Sequence, residues 1–133
     1  MTGRCLCGAV RFEVLEPFVS VSVCHCTTCK RISGGAGTIS GRTRTAALSL
    51  LAGEEHVRTY QPAEGSAKSF CTLCGSNLFG SGWPRSEWVS VRLSALDEPV
   101  TARPDAHIFV RSVAAWESLP EDGLPRYELR RED

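Results

Sequence analysis

Cys24-His25-Cys26-Thr27-Thr28-Cys29-Lys30 is the central of three tight groups that hold all seven cysteines of this chain; the others are Cys5-Leu6-Cys7-Gly8 and Cys71-Thr72-Leu73-Cys74-Gly75. An odd number of thiols, with Met1-Thr2-Gly3-Arg4 leading straight into the first pair and no room for a signal peptide, argues against a disulfide framework and for metal. Four thiolates close a tetrahedral zinc shell of the structural kind, whereas three leave a position for water or a ligand. The expectation is therefore two zinc ions, one for folding and one for chemistry.

The strand leading into the central group carries a phase. Val19, Val21 and Val23 alternate with Ser20 and Ser22. Continuing that period of two puts Cys24 and Cys26 on the serine face and His25 on the valine face, so two sulfurs aim at one metal while His25 turns away. Val10, Phe12 and Val14 alternate in the same way with Arg11 and Glu13. Thr27–Ser33 reads as a helical turn that Gly34-Gly35 breaks, and those glycines either let backbone approach a ligand or form a simple flexible loop. Further strands are expected over Ala36–Ser40, His56–Tyr60, Ala67–Cys71, Asn77–Phe79, Trp88–Leu93 and Ala106–Val110, with a last helical turn over Arg111–Trp116. About eight short strands joined by Gly, Pro and Ser make a mainly β fold of antiparallel sheets. Residues 1–133 read as one domain, and the charged stretch 128–133 reads as a frayed tail.

Composition narrows the classes further. Lys plus Arg and Asp plus Glu are both 15, hydrophobic residues make up 42%, and no apolar run is long enough to span a membrane. Seven thiolates around two dications would add three negative charges, so a nucleic-acid partner, which favours a basic patch, is not expected. The reading is of a soluble cytoplasmic protein whose thiols stay reduced.

Cys5, Cys7, Cys71 and Cys74 pair a short strand-start motif with a knuckle, and one ion between them would tie the N-terminus to a distant turn. Gly75 supplies the positive φ that such a turn needs. Cys24, Cys26 and Cys29 have no fourth cysteine. The open readings are a vacant position for an external ligand, a fourth protein ligand from His25, His56 or His107, or a Cys26-x-x-Cys29 redox pair lacking its usual βαβ setting. Haem attachment is excluded because Lys30, not histidine, follows Cys29.

Gly3-x-Cys5-x-Cys7-Gly8, Cys24-His25-Cys26-x-x-Cys29 and Phe70-Cys71-x-x-Cys74-Gly75, with His107-Ile108 and Trp116 beyond them, resemble the glutathione-dependent formaldehyde-activating enzyme family, also called centromere protein V-like. That resemblance implies a zinc-stabilised Mss4-like fold of antiparallel β-sheets with short helical turns, a structural zinc on Cys5, Cys7, Cys71 and Cys74, and a second zinc on Cys24, Cys26 and Cys29. It also implies a carbon-sulfur lyase acting on S-hydroxymethylglutathione, the adduct of formaldehyde and glutathione, with Cys24, Cys26 and Cys29 forming the open catalytic zinc site. No separate glutathione-binding segment can be matched in this chain. The alternative is a non-catalytic zinc-binding module for protein interaction or chaperone-like work, since fold alone does not decide function.

Overall fold

In the computed structural model, which describes residues 1–131, strands carry the architecture and one short α-helix interrupts them. An antiparallel three-stranded sheet has the order β1 (Thr2–Arg4), β2 (Arg11–Val14), β5 (Leu48–Ala52). A seven-stranded sheet runs β10 (Ala106–Ile108), β3 (Ser20–Cys24), β4 (Thr38–Arg44), β9 (Trp88–Arg92), β8 (Asn77–Gly80), β7 (Lys68–Cys71), β6 (Val57–Tyr60). The mainly β fold expected from the alternation is what forms. One pairing departs from it: β10 runs parallel to β3. Because β9 is antiparallel to β4 and β4 to β3, the chain leaving β9 must cross back before β10 can run in the same direction.

Val10, Phe12 and Val14 are all buried, as their alternation requires, and they form one side of the core. Leu78, Phe79, Val89 and Val91 of the large sheet form the other side, and Cys5 and Cys71 belong to the same cluster. Phe12 meets Phe79 edge to face, centroids 5.1 Å apart. Gly3 lies beneath that ring, where a Cβ would fall 2.3 Å from it, so the pairing of β1 with β2 needs glycine there. Phe12→Ala removes the ring that joins the two sheets. It is expected to cost about 3–5 kcal/mol, read as a lower midpoint in urea unfolding of metal-loaded protein.

Two expectations are corrected. Val19 is 64% exposed rather than inward with Val21, because β3 begins at Ser20 and Phe18 packs instead. The Phe18 ring lies against Gly41, within 2.3 Å of where a Cβ would stand. Strands β1 and β5 were absent from the expected set; Thr2–Arg4 is short and polar, and in Leu48–Ala52 the consecutive apolar Leu50, Leu51 and Ala52 mask an inward face of Leu48 and Leu50. In the stretch expected as a tail, Leu129 O accepts the Phe109 N–H at 2.8 Å, and the guanidinium of Arg131 bonds Ser22 and Asp105. Residues 132 and 133 of that stretch lie outside the described residues.

Candidate metal centres

The Cys5 and Cys71 turns fold back on themselves in the same way. Gly8 N–H donates to Cys5 O at 3.1 Å and Gly75 N–H to Cys71 O at 2.8 Å, each glycine at a φ of 79°. Turned so, the four sulfurs of Cys5, Cys7, Cys71 and Cys74 lie within 4.8 Å of one another. Cys5 and Cys7 sulfurs are 3.6 Å apart, and Cys7 and Cys71 sulfurs 4.0 Å. A tetrahedron with Zn–S bonds of about 2.3 Å has edges of about 3.8 Å, so this group fits a zinc ion closely. Val10 N–H donates to Cys5 Sγ at 3.3 Å. The Ser76 hydroxyl, 3.2 Å from Cys74 Sγ, pulls that thiol down to about 5. Ser76 also accepts from Leu6 N–H at 2.8 Å, which ties the two turns together directly.

The second group sits where β3 runs into α1 (Thr27–Ser33). Cys26 is the helix N-cap, in extended backbone, and its sulfur accepts the Cys29 N–H at 3.3 Å. Lys30 N–H then donates to Cys26 O at 3.0 Å, and Gly34, left-handed at φ 70°, closes the helix on Lys30 O. The sequence placed this helix to the residue. Cys24, Cys26 and Cys29 come within 4.8 Å of one another, with Cys29 buried and the other two half-buried.

Among the described residues no histidine nitrogen or carboxylate oxygen joins them. His25, 2% exposed, faces away: its Nε2 is 3.0 Å from His107 Nδ1, and His107 Nε2 is 2.7 Å from Asp122 Oδ2. His56 is beside Glu55 on the other end of the large sheet. Strands β3 and β4, which flank α1, are antiparallel, so Cys26-x-x-Cys29 lacks a βαβ setting.

Crowding governs the charge of the trio. Cys29 is held well below the usual thiol range, first by its hydrogen bond with Cys24, then by Cys26 and Thr38, with the Arg92 charge adding to this. Cys24 is pushed up, first by Cys26 and then by Cys29. Three sulfurs this close share protons when alone, and a dication is what lets all three ionise.

Three residues that sequence reasoning missed shape this centre. Gly37, not the Gly34-Gly35 pair, makes the close approach: a Cβ there would stand 2.1 Å from the carbonyl oxygen of Cys24. Gly37→Ala is expected to shift the Cys24 backbone and lower metal content at this centre while the four-sulfur group keeps its ion, as elemental analysis of the purified variant would show. Thr38 pairs with Cys24 across β3 and β4, and Arg92 lies behind it. A cavity of about 1230 Å³ has Cys5, Ile32, Gly37, Thr38, Ser76 and Arg92 in its lining, with Arg103 and Asp97 among its other charged groups. The residues of the trio are not in that lining.

Fold and site together define a mainly β protein with one four-cysteine and one three-cysteine group, each of which could hold zinc. A solved structure from Rhodobacter sphaeroides has the same fold, with a TM-score of 0.61 and 25% identity over 96% of this chain and 99% of that one. The family model for glutathione-dependent formaldehyde-activating enzyme matches residues 1–112, and the chain belongs to that family. A Halomonas elongata protein named as a candidate glutathione-dependent formaldehyde-activating enzyme is 30% identical over 125 residues, 87% of this chain and 78% of its own length. No helix among the described residues is long and apolar enough to cross a membrane.

Proposed function

We propose that the chain, acting as one domain over residues 1–133, is a zinc-dependent carbon-sulfur lyase for glutathione-type adducts of small aldehydes such as S-hydroxymethylglutathione. The observation that carries this reading is the three-sulfur group with no fourth protein donor among the described residues. Cys24, Cys26 and Cys29 would hold the catalytic zinc, and Cys5, Cys7, Cys71 and Cys74 a structural one. Bound there, the metal supplies a soft Lewis acid suited to a thiolate.

In the reaction the carbon-sulfur bond of the hemithioacetal breaks, its electron pair stays on sulfur, and the hydroxyl proton leaves as the carbonyl forms. The chain's residues prepare this. The half-buried Cys24 and Cys26 leave the centre reachable from outside, while Gly37 lets the loop close over the Cys24 carbonyl. The neighbouring cavity offers groups of both signs to a zwitterionic peptide thiol.

An interaction module is the competing reading. It draws on Leu6 and Leu73, 87% and 61% exposed at the tips of the two knuckle turns. Glutathione added to cobalt-substituted protein separates the two. The visible absorption is expected to change, with apparent affinity rising through about pH 6 to 8 as the incoming thiol must ionise, and Cys29→Ser is expected to abolish the response. An unchanged spectrum with both metals present would favour the module.

A further inference from the structure

Strand β9 ends on an arginine that the lyase reading has not used. Arg92 is only 5% exposed, and no carboxylate pairs with it among the described residues. A buried guanidinium without a counter-charge is costly, so something negative must face it. Its polar contacts are neutral. Nε donates to Asn77 Oδ1, Nη1 to Ser40 Oγ at 2.6 Å and, more weakly, to Thr38 Oγ1 at 3.4 Å, while Nη2 is buried with no partner.

The register shows where the charge lies. Arg92 is opposite Ser40 on β4, and two residues along the same strand Thr38 is opposite Cys24. The guanidinium thus reaches from β9 toward the end of β3 that carries the sulfurs. Burial pushes the guanidinium below its usual range, and the charges of Cys29, Cys24 and Cys26 act against that without cancelling it. Gly80 leaves room for this path, since a Cβ there would stand 2.9 Å from Nη2.

We propose that Arg92 is the counter-charge of the three-sulfur centre, a positioning residue that sets its preference for an anionic thiolate over a neutral ligand. Three thiolates and one dication leave a net charge of minus one, which would repel a fourth thiolate. Arg92 cancels it. Asn77 and Ser40 hold the planar fork in place, and Asn77 begins the strand that leaves the four-sulfur knuckle, so the same side chain joins the surroundings of both groups. The inference rests on the proposed open metal position at the three-sulfur centre.

The test titrates cobalt-loaded wild type, Arg92→Gln and Arg92→Lys with glutathione and, separately, with neutral imidazole, reading the visible absorption of the three-sulfur centre. Two unit charges several ångströms apart at an effective dielectric near 20 correspond to about 10- to 100-fold in affinity. Arg92→Gln is expected to weaken glutathione by that factor and to leave imidazole unchanged, and Arg92→Lys to recover most of the loss. Equal glutathione affinity in wild type and Arg92→Gln, or an equal loss for both ligands, would overturn the counter-charge. A wild type that answers imidazole but not glutathione would overturn it too, and a wild type that answers neither would take the lyase reading down first. Should Arg92→Gln not fold, azide on wild type decides: binding comparable with imidazole supports the counter-charge, and exclusion of azide while imidazole binds contradicts it.

Discussion

Cys71→Ser is expected to give insoluble or unfolded protein. Cys71 is wholly buried in the hydrophobic core, ends β7 and presents its sulfur to a group that joins the N-terminal turn to the knuckle. Zinc at structural sites contributes about 10–16 kcal/mol in small peptides, as much as the entire net stability of an ordinary domain. An incomplete shell leaves three sulfurs crowded without the cation that reconciles them, and the first sheet loses its tie to the second. Soluble yield, and a melting curve on whatever remains soluble, are the readouts. Wild-type yield and melting with full zinc content would show that the four-sulfur group does not hold the fold.

Cys26→Ser is expected to do the opposite, removing function and sparing the fold. Serine is among the preferred helix N-caps, so the bond from the Cys29 N–H survives and α1 loses little. What is lost is one of three metal ligands. Catalysed cleavage of the adduct should fall on the order of 100-fold or more, with the melting temperature close to wild type. Severe unfolding in this variant, matching that of Cys71→Ser, would contradict the division into a structural and a functional metal.

The two cysteine groups behind this contrast are legible in the sequence, because cysteine spacing is local information. So is α1, whose start on Cys26 and stop at Gly34 are set by neighbouring residues, and so is β2, whose inward face alternates over Val10, Phe12 and Val14. Residues whose reason is another strand are not legible. Gly37 matters because the Cys24 carbonyl lies against it, and Gly41 because Phe18 does. Arg92 follows the alternating Val89-Ser90-Val91 as an ordinary strand-end charge would. It is buried because β9 is central, between β4 and β8, and because the sulfurs of another loop arrive behind Thr38. The parallel β10 and the contact of Phe109 with Leu129 are likewise products of chain return, which no periodicity encodes.

The proposed reaction interconverts a hemithioacetal with its aldehyde and thiol at the three-sulfur centre. Exchange spectroscopy by NMR on an equilibrium mixture of formaldehyde, glutathione and S-hydroxymethylglutathione reads that interconversion directly. Faster exchange is expected on adding zinc-loaded protein, in proportion to zinc at Cys24, Cys26 and Cys29, with no acceleration by Cys26→Ser at equal concentration. Exchange at the uncatalysed rate with both groups fully loaded would contradict it.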